Sequence, residues 1–303
     1  MTKRYVSLIG TSRITEHHIK AAKKSGFLIY SISSSRKNSK HLKSIAKKNN
    51  IKKIFYSYKK CIASSNLMKN ISYIVTCKLS DNRKILDELL KYKKKILIEK
   101  PVFLNYKNFK GMAKYSNLIF VGYNRVFYNV IKTLKNKLNL KKKTNVICTV
   151  PEINKRNISI NSCHIFSIIM YLFGSPKIVN ISRNSKYINA KLISKNSDIN
   201  LFFNFNASEN FEIKFFNNQK IFKLCPIEKL SIYKGFKIIN LNGMRKYFPK
   251  IIYEQKELNK GIKQGFIGQY EAFKKFVDKD INVTDINFAK KIINICNNIE
   301  GRI

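Results

Sequence analysis

The sequence predicts an α/β fold in which a doubly wound parallel sheet is followed by a second α+β domain. From Arg4 to Gly122, short apolar runs alternate with polar segments in which apolar residues recur every three or four positions, a pattern typical of alternating strands and helices. After Gly122 most apolar runs follow one another directly, which indicates a largely antiparallel sheet. We place the boundary at Tyr123 and expect domains at residues 1–122 and 123–303.

The first half contains six predicted strands, in order YVSLI, FLIYSIS, KIFYS, YIVT, KILI and NLIFV. Between them lie segments of helical periodicity such as HHIKAAKKSG, KHLKSIAKK and DNRKILDELLKYKK. Open parallel sheets bind ligands at the carboxyl ends of their strands, beside the switch in strand order. The residues to inspect are therefore those that follow these apolar runs.

The second half opens with a predicted helix from Val130 to Leu138, a strand from Asn145 to Val150 and a helix from Cys163 to Leu172. The next predicted strands are KIVNIS, AKLIS, INLFFNF, FEIKFF and KIFKL. Two amphipathic helices, GQYEAFKKFVDK and DINFAKKIINICNNI, are expected to close the chain.

Composition limits the classes of partner. The chain has 60 Lys and Arg against 17 Asp and Glu, a formal charge of +43. These cations are spread along the whole sequence, so the charge argues against nucleic acid as the main ligand and suits an anionic substrate or cofactor. No apolar run reaches the length of about 18 to 20 residues that spans a bilayer. We expect a cytoplasmic protein without a membrane segment.

The cysteines are widely spaced and contain no C-x-x-C pair, which argues against a zinc or dithiol site. We expect no metal site, and reduced, mostly buried thiols of a cytosolic protein. They are Cys61, Cys77, Cys148, Cys163, Cys225 and Cys296.

The first strand is followed by IGTSRITEHH, where a dinucleotide loop would read G-x-G-x-x-G. Gly10 is in place, whereas Ser12 and Thr15 occupy the second and third glycine positions. The hydroxyl of Ser12 and the charge of Arg13 suit a phosphate. The loop residues expected to bind the cofactor are Gly10, Thr11, Ser12, Arg13 and Ile14. The alternative is that Gly10 merely turns the chain into a helix with Thr15 as its N-cap.

The second strand ends in SISSSRKNS, which offers hydroxyls and two cations but no carboxylate. A carboxylate at this place would accept the ribose hydroxyls of NAD, whereas an arginine suits the 2'-phosphate of NADP. We therefore expect Ser35, Arg36 and Lys37 to bind NADP(H) in preference, with NAD(H) as the alternative cofactor. An ordinary polar turn is the other reading of this segment.

The order of these segments, together with YIVTCKLSDNRKILDELLKYKKKILIEKPV, VGYNR and SCHIFSIIMYLFGSP, resembles the glucose-fructose oxidoreductase and inositol dehydrogenase family, Gfo/Idh/MocA. The strand that ends in Glu-Lys-Pro is its most specific mark. The resemblance implies a Rossmann domain followed by a substrate domain with an open, mostly antiparallel sheet. It also implies hydride transfer between a nicotinamide cofactor and a sugar or related polyol, and oligomer contacts through the open sheet.

The resemblance assigns roles in the first domain. Lys100 would act on the reacting oxygen beside the nicotinamide, with Glu99 near the cofactor and Pro101 after a cis peptide bond. Thr76 and Asn82 would lie at the cofactor's edge. Without the resemblance, IEKP would simply end a strand, with Lys100 in solvent.

The second domain matches less well. The family pattern D-x-G-x-H keeps its histidine as His164, but Ile160 stands where the aspartate should be. Ser162 replaces the glycine, and Ser167 replaces a later Asp. Asn161 lies next to the carboxylate position but cannot ionise, so support for an imidazolium would be lost. His164 could instead be structural.

The resemblance places four residues in the substrate cleft. They are Asn161 and His164, named above, and Asn124 and Arg125. Arg125 would meet an anionic group of the substrate.

Together these residues predict an NAD(P)-dependent dehydrogenase or reductase of carbohydrate metabolism that acts on a sugar, sugar nucleotide or related carbonyl compound. One alternative is an NADPH-dependent reductase of an imine or carbonyl compound in a biosynthetic pathway, where a single proton donor suffices. The other is a family member without catalysis that binds a ligand or partner. The expected partners are a small, anionic substrate and further copies of this chain.

Overall fold

The structure, a computed structural model, describes residues 3–36, 38–258 and 261–302. Their chain divides into two units, Met1–Asn124 with Asn259–Asn294, and Arg125–Leu258 with Ile295–Ile303. The chain leaves the first unit close to the expected boundary at Tyr123. Residues 261–294 then belong to the first unit again. The sequence pattern does not indicate this return.

Among the described residues, the strands are β1 (Arg4–Ile9), β2 (Phe27–Ser33), β3 (Lys53–Phe55), β4 (Ile71–Val75), β5 (Ile96–Glu99), β6 (Ile119–Gly122), β7 (Thr144–Glu152), β8 (Lys177–Arg183), β9 (Tyr187–Ser194), β10 (Ser197–Phe205), β11 (Glu212–Asn217), β12 (Lys220–Leu224), β13 (Lys229–Leu241) and β14 (Met244–Lys256). The α-helices are α1 (Thr15–Lys24), α2 (Lys40–Lys48), α3 (Tyr58–Ser65), α4 (Asn82–Leu90), α5 (Asn129–Lys137), α6 (Cys163–Phe173), α7 (Phe266–Lys279) and α8 (Ile286–Glu300). None of the helices in these described ranges is long and apolar enough to cross a bilayer.

The first unit contains a six-stranded sheet of order β3-β2-β1-β4-β5-β6 in which all neighbouring strands are parallel. Its central strands are nearly continuous apolar runs because helices cover both faces. The strand order reverses between β1 and β4, which is where such sheets form their ligand crevice. The predicted doubly wound sheet is confirmed.

Helix α7 completes the core of the first unit through a cluster of packed aromatic rings. The ring of Phe273 lies 5.6 Å from that of Phe27 on β2 and 5.7 Å from that of Phe120 on β6, and Phe276 lies 6.0 Å from Phe120. All four side chains are buried. Burying a phenylalanine stabilises a fold by about 1.5–3 kcal/mol, so this late segment contributes substantially to the sheet formed by the start of the chain.

The second unit contains an eight-stranded sheet of order β14-β13-β12-β11-β7-β10-β9-β8. Strands β7 and β10 are parallel, and the other neighbours are antiparallel. Helix α6 covers one face, with Phe166 against Phe203 and Phe173 against Phe215. Burial alternates along β9, as expected for a sheet with one covered face, so the predicted mostly antiparallel sheet is confirmed.

The hairpin of β13 and β14 extends past the rest of this sheet. Strand β13 pairs with β12 over residues 230–233, and beyond that point β13 and β14 pair with each other. We call residues 234–252 the arm. Its large apolar side chains are strongly exposed, with Phe236 at 66% and Tyr247 at 60%.

The junction of β1 and β4 depends on Gly10. Its backbone has φ of +111°, and a Cβ atom there would lie 2.7 Å from the backbone carbon and oxygen of Thr76. The Thr76 N–H donates to the Ile9 carbonyl at 2.9 Å, which holds the two strand ends at this distance. The position therefore requires glycine for conformation and for space.

We expect Gly10→Ala to destabilise the protein by about 3 kcal/mol, because the added methyl group overlaps the Thr76 backbone at a positive φ. Gly111→Ala is the matched control, since Gly111 also has a positive φ, +77°, but open space around it. The control substitution should lower the free energy of unfolding, measured in urea, by about 1–2 kcal/mol. Equal losses for the two variants would contradict the close approach.

Candidate active site

The crevice at the strand-order reversal is lined by residues from three strand ends. Ile9 ends β1 and leads into the loop before α1, Ser33 ends β2, and Val75 ends β4. We call this crevice the β1–β4 cleft. It is lined by Gly10, Thr11, Ser12, Ser34, Ser35, Arg36, Ser39, His41, Thr76, Cys77, Lys78 and Asp81. Six residues expected to bind a cofactor, Gly10, Thr11, Ser12, Ser35, Arg36 and Thr76, thus lie around one space.

Hydroxyl groups occupy the loop where two glycines were expected. The Thr15 hydroxyl lies 3.1 Å from the Thr76 hydroxyl and 3.4 Å from that of Ser12. Thr15 is fully buried and is the first residue of α1; Ile14 holds the cap position without a side-chain hydrogen bond. The alternative with Thr15 as N-cap is therefore wrong, because its hydroxyl is turned toward β4. Arg13 and Ile14 belong to this loop but are not among the residues that line the cleft.

The turn after β2 brings two basic side chains to the same cleft. Arg36 is exposed, and its N–H donates to the Ser34 hydroxyl at 3.3 Å. The predicted residue Lys37 lies outside the described residues. His41, which sequence reasoning missed, follows the N-cap Ser39 of α2 and lines the cleft with Arg36. Its position two residues after a capping serine was the available signal.

Two polar residues beside the cleft are engaged within the protein. The Cys77 thiol donates to the Ile9 carbonyl at 3.0 Å, and burial raises its pKa to about 12, so it stays neutral. The Asn82 side-chain nitrogen donates to the Val102 carbonyl at 3.0 Å. Asn82 was predicted at the cofactor's edge. In the structure its side chain binds the backbone of the segment that follows Pro101.

Strand β5 delivers Glu99 and Lys100 to the same edge of the sheet. The Lys100–Pro101 peptide bond is cis, as predicted. Lys100 itself is half-buried. A Cβ at Gly122 of the neighbouring β6 would lie 2.8 Å from Glu99 Oε1, so the missing side chain makes room for this carboxylate.

Glu99 is held by a buried pair that sequence reasoning missed. His18 Nε2 lies 3.0 Å from Glu99 Oε1, and His18 Nδ1 lies 2.8 Å from the hydroxyl of Tyr270 on α7. Burial, reinforced by the charge of Glu99, raises the pKa of Tyr270 well above its usual value, so its hydroxyl stays protonated.

The two residues after Tyr123 have partners in different units. The Asn124 side-chain nitrogen donates to the Gln264 carbonyl at 3.0 Å within the first unit, and the residue is buried. In the second unit the Arg125 guanidinium lies 4.0 Å from Glu228 and over the ring of Phe211. Both were predicted to face substrate, and the contacts described here are made within the protein.

The segment around His164 begins with a π-helical turn, Ile158–Ser162, that runs directly into α6. His164 is 6% exposed, and Ser167 donates back to the His164 carbonyl at 2.7 Å. Ser167, in place of an aspartate, therefore serves the helix backbone. Ile160, at the position of the other aspartate, is 39% exposed.

A buried carboxylate from outside the motif contacts this turn. Glu152, at the end of β7, is 5% exposed and accepts hydrogen bonds from the Ser162 hydroxyl and, at 3.3 Å, from the Asn161 side-chain nitrogen. Sequence reasoning missed Glu152 because it lies eight residues before Ile160 and on a different element. Within the described residues, no group of three His, Cys, Asp or Glu is placed to hold a metal ion.

Solved structures of low sequence identity share this fold over the whole chain. They include a dehydrogenase (MviM) from Clostridium difficile, with 15% identity, a TM-score of 0.77 and coverage of 100% of both chains. An oxidoreductase from Agrobacterium radiobacter, solved in complex with NAD+, L-tartaric acid and magnesium, has 12% identity and a TM-score of 0.74, covering 99% of this chain and 96% of its own.

The UDP-N-acetylglucosamine 3-dehydrogenase GnnA from Acidithiobacillus ferrooxidans has 13% identity and a TM-score of 0.73, covering 100% of this chain and 98% of its own. At these identities the likeness shows the fold. No curated protein matches the chain.

The family model that matches describes an oxidoreductase family with an NAD-binding Rossmann fold, and it covers residues 4–123. This range contains the β1–β4 cleft, the Glu99–Lys100 strand end and the whole of the six-stranded sheet. The resemblance expected from the motifs is confirmed, because residues 4–123 match the model of the Gfo/Idh/MocA family of NAD-binding oxidoreductases.

Proposed function

We propose that the protein is an oxidoreductase that transfers hydride between a nicotinamide cofactor and a carbon of a sugar, sugar nucleotide or related carbonyl compound. The observation that carries this proposal is the β1–β4 cleft, which lies at the carboxyl edge of the sheet that also presents Glu99 and Lys100. Two of the solved relatives are named for, or bound to, small polyhydroxylated compounds, which supports a substrate of that class.

The residues of the cleft suit a dinucleotide. Gly10 brings the β1 backbone within reach of a ligand, and the hydroxyls of Thr11 and Ser12 lie at the start of α1, where a helix favours a phosphate. A bound cofactor would supply or accept the hydride. Lys100 would then exchange a proton with the substrate oxygen, because its ammonium group is the donor placed at the end of β5. The resemblance also implies that His164 assists this proton transfer.

NADP(H) is the cofactor we favour. Arg36 and His41 bring two basic side chains to the end of β2, and no carboxylate occurs between Ser34 and Ser39. A carboxylate would be needed there to bind the ribose hydroxyls of NAD in the usual way. The same basic cleft and Arg125 suit an anionic substrate. A cytoplasmic location, expected from the spacing of the cysteines, completes the proposal.

Cofactor titration is the direct test. We expect NADPH to bind more tightly than NADH, and Arg36→Ala to weaken NADPH binding at least tenfold while changing NADH binding less than threefold, because a charge-assisted phosphate contact is lost. The control is Lys24→Ala, which removes an exposed charge at the far end of α1. Nicotinamide fluorescence reports both affinities. Failure of the folded protein to bind either cofactor would favour the non-catalytic alternative.

Lys100→Met is expected to lower the rate of cofactor oxidation by about 10²-fold or more with the NADPH affinity unchanged, because it removes the proton donor. The assay follows NADPH absorbance with keto sugars, keto sugar nucleotides and cyclic imines, and Lys24→Met is the matched control. Turnover confined to imines would favour the reductase alternative. Full activity of the variant would rule out Lys100 as the acid–base residue.

We also propose that copies of the chain associate through the open face of the second sheet. One row of paired residues runs along this face through Asn145, Phe216, Ile221, Tyr233 and Ile251. The apolar face of the arm continues it, because residues paired across strands share a face and faces alternate along a strand.

The two faces of the arm differ in charge. Phe236 pairs with Pro249 and Ile238 with Tyr247, and these side chains share the face of Ile251. Lys237, Lys246 and Lys250 lie on the opposite face together with Phe248, and Arg245 lies on the face of Ile251. A second copy packed on the face of Ile251 would leave the lysines of the opposite face in water. Beyond its pairing with β12 the arm consists of two strands alone, and packing against a second copy would stabilise such a pair.

Ile238→Asp is expected to convert the assembled protein to monomers, since it places a charge in the proposed interface. Lys237→Asp, on the opposite face of the same strand, should leave the assembly intact. Light scattering coupled to size-exclusion chromatography measures the mass of each. A monomeric unmodified protein, or the same mass for both variants, would contradict the proposal.

A further inference from the structure

The second unit holds two buried carboxylates against the turn that precedes His164. Glu152 reaches it from the end of β7, and Glu300 reaches it from α8. In a chain with 17 acidic and 60 basic residues, two carboxylates at one turn are unusual. The turn is also the place where the family pattern expects an aspartate and this sequence has Ile160.

The two carboxylates serve different parts of the turn. Glu300 accepts the backbone N–H of Ser159 at 2.7 Å and pairs with Arg302 at 2.8 Å, and burial raises its pKa. It therefore ties the start of the turn to the last helix. Glu152 accepts from the side chains of Asn161 and Ser162, which immediately precede Cys163 and His164.

The bond between Glu152 and Asn161 fixes the orientation of the amide. Because a carboxylate only accepts hydrogen bonds, the amide nitrogen of Asn161 faces Glu152 and its oxygen points away. Asn161 is an exposed residue, so a ligand can approach its side chain. An aspartate in the motif would offer the same kind of group, a hydrogen-bond acceptor. The π-helical turn is consistent with a functional role, since such turns occur frequently at functional sites.

We propose that Glu152 and Asn161 together replace the aspartate missing from the motif. Glu152 supplies a negative charge at the residues that immediately precede His164, and it holds the turn through Ser162. Asn161 supplies the acceptor, which suits a substrate with a hydroxyl group next to the reacting carbon. Glu152 is thus a positioning residue, and Asn161 is a substrate-binding residue. The roles toward substrate rest on the proposed oxidoreductase function, but the charge near His164 is tested without cofactor or substrate.

The other titratable groups of this cluster are Cys163 beside His164, and Cys296, Glu300 and Arg302 at the end of the chain. Burial raises the pKa of the Cys296 thiol well above its usual range, so it stays neutral. Glu300 is paired with Arg302. Glu152 is therefore the group whose charge the experiment should change.

The test follows the imidazole signals by NMR as pH is varied. The chain has four histidines, and His164→Gln identifies the signal of His164. Glu152→Gln is expected to lower the pKa of His164 by about one unit, because a nearby negative charge favours the imidazolium. The matched control, Glu209→Gln, removes an exposed carboxylate of the same unit and should leave the pKa of His164 unchanged. An unchanged value in a folded Glu152→Gln variant would overturn the proposal.

Moving the carboxylate back to the motif gives a second test. The double variant Glu152→Gln with Asn161→Asp is expected to restore the pKa of His164, whereas a purely structural Glu152 would not be rescued in this way. If Glu152→Gln fails to fold, Asn161→Asp alone, at an exposed position, should raise the pKa of His164. No rise would overturn the proposal, and neither result depends on hydride transfer.

Discussion

The close approach of the β1 and β4 backbones at Gly10 is the constraint on which the first unit depends. It sets the two strand ends where the strand order reverses, and so it creates the crevice. The hydroxyls of Ser12, Thr15 and Thr76 then connect the loop to β4. Glycines at positions 12 and 15 would lack these side-chain contacts. These hydroxyl contacts therefore stabilise the turn from β1 into α1.

The sequence predicted the fold well where burial imposes a strong pattern. The six parallel strands are short apolar runs because both faces are covered, and the covered strands of the second sheet alternate cleanly. The arm was not predicted, because its apolar residues are exposed on both strands and no pattern separates them from a buried strand. The return of residues 261–294 to the first unit was also hidden, since periodicity records that a helix has an apolar face but not which unit that face contacts.

Some residues of the candidate site could be predicted from the sequence, and others could not. Residues next to a strand end, such as Gly10, Arg36 and Lys100, could be placed from the sequence because topology brings strand ends together. Residues that act through tertiary contact could not. His18 resembled any helical histidine until Glu99 and Tyr270 were seen beside it, and Glu152 ended a strand without any motif. The sequence predicted that the second unit lacks the aspartate of the family pattern, but it contains no information on carboxylates that arrive from other elements.

The return of residues 261–294 has a consequence for synthesis of the chain on the ribosome. Phe27 and Phe120 belong to strands made in the first half of the chain, yet the rings that cover them, Phe273 and Phe276, are made near its end. Until those residues emerge, the six-stranded sheet exposes apolar surface that attracts other nascent chains. The second unit is almost entirely synthesised in that interval. The first unit, whose strands are synthesised early, therefore completes its core late. Its apolar surface stays open to aggregation for most of translation.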